Sequence, residues 1–308
     1  MKIAIIGAGG VGGQFGLRLA KAGNEVHFVA HPGPHFEAMK SNGLQLTSPH
    51  FGDAHLSDLS VTDNSKSLEP VDVVLLCTKL YDLEDAAQAA APLLRDDSVV
   101  IPLQNGVESV ERITPILGEQ HVIVGSTFTS SHIEKPGHIK HVGRNQILRF
   151  GSNHAFAKPF YDACVDAGLM PEIYDDPEQM LWKKFIYLSS ISGILATLRK
   201  PMKILKGPPL LQTMLDRAVD EAAAVGRAHG ANIDDALIQA AKDDTRENLD
   251  EFRPSLLVDV ERGKRTEVEW LSGAVHRLGQ KHGVDTPLHS MFYAAVTAYE
   301  SQSNVAGA

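Results

Sequence analysis

Apolar residues in the first half of the chain come in short unbroken runs, and in the second half they recur at helical intervals. Residues 2–6, 25–30, 71–77, 99–103 and 121–127 are strand-like and mostly apolar throughout. Runs of that kind, separated by helix-length segments, predict a parallel sheet covered on both faces. Between Pro136 and Gly151 the pattern shifts to short alternating segments, residues 138–142 and 146–150, which predict an antiparallel hairpin at the edge of that sheet. After Asp175-Asp176-Pro177 the strand signals stop, with Asp176 placed to cap a helix and Pro177 at its first position. Helices are expected over 177–198, 209–229, 233–248, 254–262, 266–282 and 286–300, with 301–308 a frayed tail. The fold class is therefore α/β. Residues 1–176 form a doubly wound parallel-sheet domain and residues 177–308 an all-α domain, a division that suits a chain of 308 residues.

The first strand runs straight into Gly7-Ala8-Gly9-Gly10-Val11-Gly12, and the helix behind it carries Phe15, Leu17, Leu19 and Ala20. In a G-x-G-x-x-G turn of this kind, Gly7 permits the tight reversal and Gly9 lets backbone approach a pyrophosphate. Gly12 allows close packing of helix on strand. The helix start then points N–H groups and a positive dipole end at the phosphates. This predicts a Rossmann dinucleotide site. At the end of the second strand an NAD site would carry Asp or Glu for the ribose hydroxyl; here His31 stands there, followed by Pro32-Gly33. With no acid to repel a 2′-phosphate the expected cofactor is NADP(H), although an exposed loop histidine would tolerate either dinucleotide. Lys79, in Cys77-Thr78-Lys79, falls on the sheet edge where ligands bind and reads equally well as a surface lysine.

Charge and composition narrow the classes. A net charge of −9 without any basic cluster argues against a nucleic-acid partner and against an anionic membrane surface. The chain has 2 cysteines, Cys77 and Cys164, with no metal spacing, as expected of reduced thiols in a cytoplasmic protein. The N-terminal apolar run is broken by glycines and lacks a cleavage pattern, and no stretch is long enough to span a bilayer. His132, His138 and His141 cluster on the expected hairpin without a known ligand spacing, so no metal is expected.

Three further places could carry chemistry. Asn105, in Gln104-Asn105-Gly106, follows the strand at 99–103 and could hold a nicotinamide or a substrate oxygen; Asn-Gly is also a favoured turn pair. Lys183 and Lys184 lie in a helix that is apolar around most of its circumference, and Lys184 shares a face with Leu188, Ile191 and Ser192. An ammonium on that face would be desolvated, which lowers its pKa and improves it as a proton donor; the plainer alternative is that both lysines snorkel to water. In Arg265-Thr266-Glu267-Val268-Glu269, Thr266 is a potential N-cap and the two glutamates could simply complement the helix dipole.

Taken together and in this order, the glycine motif, Thr78-Lys79, Asn105-Gly106, Trp182-x-Lys184-Phe185 and Glu261-Arg262-Gly263-Lys264-Arg265-Thr266-Glu267-Val268-Glu269-Trp270 resemble the ketopantoate reductase family over essentially the whole chain. The resemblance implies a helical domain like the C-terminal domain of 6-phosphogluconate dehydrogenase, and reduction of 2-dehydropantoate in the cleft between the domains. Lys184 would be the general acid, Asn105 would help fix nicotinamide and substrate, and Glu267 would contact both. Ser255 and Ser192 would touch substrate, and Ser131 would meet the cofactor. The sequence departs from the family where pocket asparagines are replaced by Leu188, Ser192 and Met202, and where a phosphate-gripping arginine is replaced by His31. Those changes suit a different 2-oxo acid, with Arg199 as a substitute carboxylate anchor or, more plainly, a helix-end surface arginine. A reductase of another 2-oxo acid or of a derived imine, and a non-catalytic NADP(H) sensor, remain alternatives. The resemblance also leaves room for a homodimer.

Overall fold

A computed structural model describes residues 1–246 and 252–306, the last six of these by backbone alone. Two compact units emerge: Met1–Gln104 with Glu108–Pro177, and Asn105–Val107 with the chain from Glu178 onward.

The first unit opens β1 (Lys2–Ile6), α1 (Gly10–Lys21), β2 (Glu25–Val29), α2 (Pro34–Asn42), β3 (Leu44–Thr47), β4 (Ala54–Leu56) and β5 (Ser60–Thr62). It continues with β6 (Val73–Leu76), α3 (Leu83–Ala90), β7 (Val99–Pro102), α4 (Ser109–Leu117), β8 (Gly125–Lys135), β9 (His138–Gly151), α5 (Ala157–Asp166) and β10 (Met170–Tyr174). One sheet has the order β5-β2-β1-β6-β7 with every pair parallel. Its central strand is buried on both faces, and Ile3, Ala4 and Ile5 are all 0% exposed, which is why it carries no polar alternation. Helix α1 packs on both β1 and the second sheet, bringing Phe15, Leu17 and Leu19 into one core with Phe28, Leu148 and Phe150. Each such fully buried side chain contributes about 2 to 3 kcal/mol of transfer free energy.

The second sheet corrects the sequence reading. The hairpin expected from residues 138–142 and 146–150 does not form, because both segments lie in the single strand β9; the hairpin observed is β8–β9, in a separate sheet ordered β10-β9-β3-β4 with β8 on β9. Its turn is at Pro136-Gly137, where Gly137 has φ +73°. The strand expected over 121–127 is displaced as well. His121 closes a short 3₁₀ turn (Glu119–His121), Val122 alone bridges to Val100, and β8 begins at Gly125. Beyond Phe128 the β8 residues are polar and partly exposed, so no continuous apolar run marks them. Between Thr129 and Ser131 the β8–β9 register breaks: Thr129 pairs with Gln146 but Ser131 with His141.

The second unit contains α6 (Pro177–Leu198), α7 (Pro209–His229), α8 (Asp235–Asp244), α9 (Ser255–Glu261), α10 (Ser272–His282) and α11 (Pro287–Ala306). Helix α6 is apolar nearly all round because two clusters use it, Trp182, Phe185 and Ile186 in one and Ile191, Ile194 and Leu195 in the other. Helix α7 comes against Trp182 at Gly226, where a Cβ would lie 2.7 Å from the ring and 2.4 Å from Ile233. The helix expected over 266–282 is divided: a 3₁₀ turn (Val268–Trp270) comes first, and Leu271, at φ −108° and ψ −96°, breaks the path before α10. The expected helix at 233–248 ends at Asp244, and positions 247 and 248 lie outside the described residues. The tail expected to fray from 301 continues α11 to Ala306 instead, and 307–308 lie outside the described residues. Among the described residues no helix is long and apolar enough to cross a membrane.

Buried at the start of α11, His289 donates from Nε2 to the Ala218 carbonyl at 3.1 Å, while its Nδ1 is buried with no partner. Burial pushes this imidazole down to about 4, against an ordinary value of 6.5. The unfolded chain therefore takes up a proton that the folded chain refuses between those values, and stability falls as pH drops through that window, by about 3 kcal/mol in all. The half-buried Glu221 carboxylate accepts from the Leu288 and His289 amides at 3.0 Å each and is raised by burial, an effect of opposite sign. His289→Gln isolates the imidazole. Melting temperature recorded from pH 7 to pH 4.5 is expected to fall less steeply in the variant than in the parent; parallel curves would refute the assignment.

Candidate active site

At the turn from β1 to α1, Gly7 adopts φ +95°, which only glycine takes readily. A Cβ at Gly12 would lie 2.1 Å from the Gly7 carbonyl oxygen, so helix and strand meet backbone to backbone. Beside Gly9 the space is open, with nothing within 4 Å of where a Cβ would stand. Gly9 is the N-cap of α1, and no side chain caps the amides there. Open space, exposed amide donors and the positive end of a helix suit the diphosphate of a dinucleotide. Ala8 is buried, and its carbonyl accepts from His35 Nε2 at 3.0 Å. The Gly137 amide donates to His35 Nδ1 at 3.0 Å, which specifies the neutral Nε2–H tautomer; burial also lowers the pKa of this imidazole. Val11 is half-buried against the core.

His31 lies exposed just past β2, with no acidic side chain at that place. Lys79 is half-buried after β6 and caps a short 3₁₀ turn (Leu80–Asp82), so it is on the carboxyl edge of the parallel sheet as expected. Ser131, half-buried in β8, donates its hydroxyl to Gln14 Oε1, and a Cβ on Gly10 would fall 2.2 Å from the Ser131 carbonyl oxygen. Burial raises both thiols, Cys77 and Cys164, so neither is poised to react. His138 bonds Thr47 at 2.8 Å, and the buried His141 bonds Ser48 at 2.9 Å and the Asn145 carbonyl at 3.0 Å, which gives these imidazoles structural partners.

In the helical unit, Lys184 Nζ donates to Asn105 Oδ1 at 2.9 Å. The two lysines of α6 are thereby told apart, Lys183 being exposed and Lys184 half-buried. Gly106 follows Asn105 at φ +122°, so the reversal of the chain there and the bond to Lys184 coexist. Val107 packs with Leu188 and Tyr187 against the helical core, which secures the segment carrying Asn105. Glu267 is 6% exposed and stands at the N-cap of the 3₁₀ turn; Thr266, expected to cap a helix, instead accepts from the Val268 amide through Oγ1 at 3.2 Å in a local turn one residue ahead of it. Ser192 is buried two turns along α6 from Lys184, Met202 is buried, and Ser255 is exposed as the first residue of α9.

Arg199 does not serve as expected. It takes φ +52° just beyond α6, about 20 Å along the helix axis from Lys184, a separation no small 2-oxo acid can bridge. Its guanidinium lies 5.0 Å from the Tyr299 ring centroid, and its left-handed backbone closes the helix end. Sequence reading missed Gln14, His35 and Gln104. Gln104 Nε2 donates to the Leu76 carbonyl at 3.1 Å and ties the end of β7 to β6, directly before Asn105. A polar residue beside Phe15 on the core side of α1 was the available signal for Gln14.

A dinucleotide-binding unit joined to a helical unit that presents an oriented lysine defines a dinucleotide-dependent oxidoreductase. The family profile "Ketopantoate reductase PanE/ApbA" matches residues 3–154, and "Ketopantoate reductase PanE/ApbA C terminal" matches residues 176–300. The chain belongs to the ketopantoate reductase family, whose members are oxidoreductases acting on CH–OH groups. It is 30% identical to 2-dehydropantoate 2-reductase of Pyrococcus horikoshii, over 98% of either chain. A PanE/ApbA family ketopantoate reductase from Ralstonia eutropha superposes with a TM-score of 0.90 at 30% identity, covering 99% of this chain and 100% of that one. D-mandelate dehydrogenase, solved with NADH and anilino(oxo)acetate, superposes with a TM-score of 0.89 at 27% identity, covering 99% of both chains.

Proposed function

We propose that this chain reduces 2-dehydropantoate to (R)-pantoate with NADPH, a step of pantothenate biosynthesis, in the cytoplasm. The observation that carries the reading is the bond from Lys184 Nζ to Asn105 Oδ1, which orients a half-buried amine on a helix whose side chains are largely buried and apolar. The cofactor supplies a hydride to the carbonyl carbon. Lys184 donates a proton to the oxo oxygen as negative charge grows there, and its charge attracts the substrate carboxylate. Asn105 holds the amine in line, while Glu267 orders the site around it, and Ser192 and Ser255 are the substrate-side hydroxyls. The glycine turn with Gly7, Ala8, Gly9, Gly10, Val11 and Gly12 holds the diphosphate, Lys79 and Ser131 serve the cofactor beside it, and His31, standing where an acid would repel it, accommodates a 2′-phosphate.

A second reading has one specific observation behind it. Leu188, one turn beyond Lys184 on the same face, is a half-buried aliphatic side chain that packs against the helical core. Such a wall offers no hydrogen bond to a substrate hydroxyl and favours a 2-oxo acid with an apolar 2-substituent; the related D-mandelate dehydrogenase was solved with anilino(oxo)acetate, an oxo acid that carries an aryl ring.

Loss of NADPH absorbance with 2-dehydropantoate, phenylglyoxylate and 4-methyl-2-oxopentanoate separates the readings by the order of kcat/KM. If the apolar acids lead, Leu188→Asn is expected to move the ratio toward 2-dehydropantoate by about tenfold, the scale of one pocket contact. Lys184→Ala should lower kcat by about 10³ on the best substrate, within the range of general acid catalysis, and Asn105→Ala by less. Full activity in Lys184→Ala would end the mechanism, and NADPH binding without turnover on any of these acids would favour a sensor. For the cofactor, His31→Asp should raise KM for NADPH and leave KM for NADH within about twofold; equal effects on both would remove His31 from the selection.

A further inference from the structure

Gln14 is fully buried in α1, two residues beyond the last glycine of the motif, where an apolar side chain would be expected. Its Oε1 accepts from Thr129 Oγ1 at 2.9 Å and from the Ser131 hydroxyl. Its Nε2 donates to Gln146 Oε1 at 3.3 Å, and Gln146, also 0% exposed, donates from Nε2 to the Gly168 carbonyl at 2.5 Å. The two amides thus form a one-way relay from β8 through α1 and β9 to the turn before β10.

The two hydroxyls that Gln14 gathers flank the place where the β8–β9 register breaks. At that break the strand comes against the glycine turn so closely that a Cβ on Gly10 would fall 2.2 Å from the Ser131 carbonyl oxygen and 2.8 Å from the His132 amide nitrogen. A plain packing role does not call for an amide. Leucine has similar volume and carries no desolvation cost, whereas a buried amide is tolerated only when it is bonded. What the amide adds is a fixed distance between the first turn of α1 and the irregular part of β8.

The geometry points to Gln14, backed by Gln146, as the positioning residue of the dinucleotide site: it holds the broken stretch of β8 against Gly10, and so sets where the first turn of α1 presents its amides to the diphosphate. This rests on the reading of the chain as a dinucleotide-dependent reductase. Gln14 touches no reacting atom and acts through Ser131 and the glycine turn.

The test measures NADPH affinity by the fluorescence of the bound nicotinamide, alongside melting temperature, in the parent, Gln14→Leu and the double variant Gln14→Leu/Gln146→Leu. Gln14→Leu leaves Gln146 Oε1 buried without its donor, so it should melt lower, and its Kd for NADPH should rise about tenfold with kcat at saturating cofactor within twofold. The double variant removes the orphaned amide, so its melting temperature should recover while Kd stays high. Parental Kd in folded Gln14→Leu, or a Kd that recovers together with melting temperature in the double variant, would overturn the proposal. If neither variant folds, Thr129→Val removes one of the two hydroxyls and should raise Kd about two- to threefold with little change in melting; unchanged Kd overturns the proposal there too. A parent protein that binds neither NADPH nor NADH would instead remove the reductase reading, and this proposal with it.

Discussion

Helix α1 reaches its place because no Cβ stands at three of its positions. Gly10 faces the Ser131 carbonyl, Gly12 the Gly7 carbonyl and Gly16 the Phe28 ring, with would-be Cβ separations of 2.2, 2.1 and 2.4 Å. Contacts that short cannot be relieved by turning a side chain, since two of the three partners are backbone. The helix therefore lies between the parallel sheet and the β8–β9 sheet at a distance set by main chain. In the motif itself, Gly12 is committed to packing and Gly7 to a left-handed turn, and only Gly9 opens onto space. The open space at the turn thus lies beside one glycine, and the placement of the turn depends on the others.

The helical unit solves a different problem. Helix α6 buries side chains nearly all round, so an amine within it must find both an exit and a partner. Lys183 finds the exit and Lys184 finds Asn105. Asn105 leaves β7 in sequence but packs with the helical unit, and Val107 provides the apolar anchor that keeps it there. The contrast with His289 is instructive, because there a buried imidazole satisfies one nitrogen and leaves the other unpaired. Gln14 and Gln146 sit at the opposite end of the scale, two buried amides bonded head to tail.

Legibility in the sequence followed burial. β1 and the long helices α6 and α7 could be read to their ends because each is either apolar throughout or bounded by proline and glycine. β3, β4, β5 and β10 are short and half-exposed, and β8 is polar beyond its first turn of register, so no periodicity announced a second sheet. The site divided the same way. The glycine turn is visible because its constraint is local, whereas the helix pattern alone leaves Lys184 and Lys183 equally free to snorkel and only the family resemblance singles out Lys184. Asn105 stayed ambiguous until its partner was known, since the turn conformation at Gly106 and the bond to Lys184 coexist. For Arg199 the sequence shows a charge at a helix end, and only the length of α6 separates it from Lys184.

That length has a consequence for selectivity. With Arg199 some 20 Å down the axis and its guanidinium over Tyr299, it cannot read the carboxylate of a substrate whose oxo oxygen meets Lys184. On the proposed chemistry the lysine then serves two ends, drawing in the anion and protonating the oxygen, and both are common to every 2-oxo acid. A group that recognises only what all candidates share cannot choose among them, because selection is a difference of affinities. The choice falls to whatever the 2-substituent meets, and one side chain that shares the Lys184 face of α6 is Leu188, one turn on. An aliphatic wall discriminates weakly against an added hydroxyl but gains with every apolar carbon it covers. On the proposed chemistry, breadth across apolar 2-oxo acids rather than selection of one is what an aliphatic residue at this position favours.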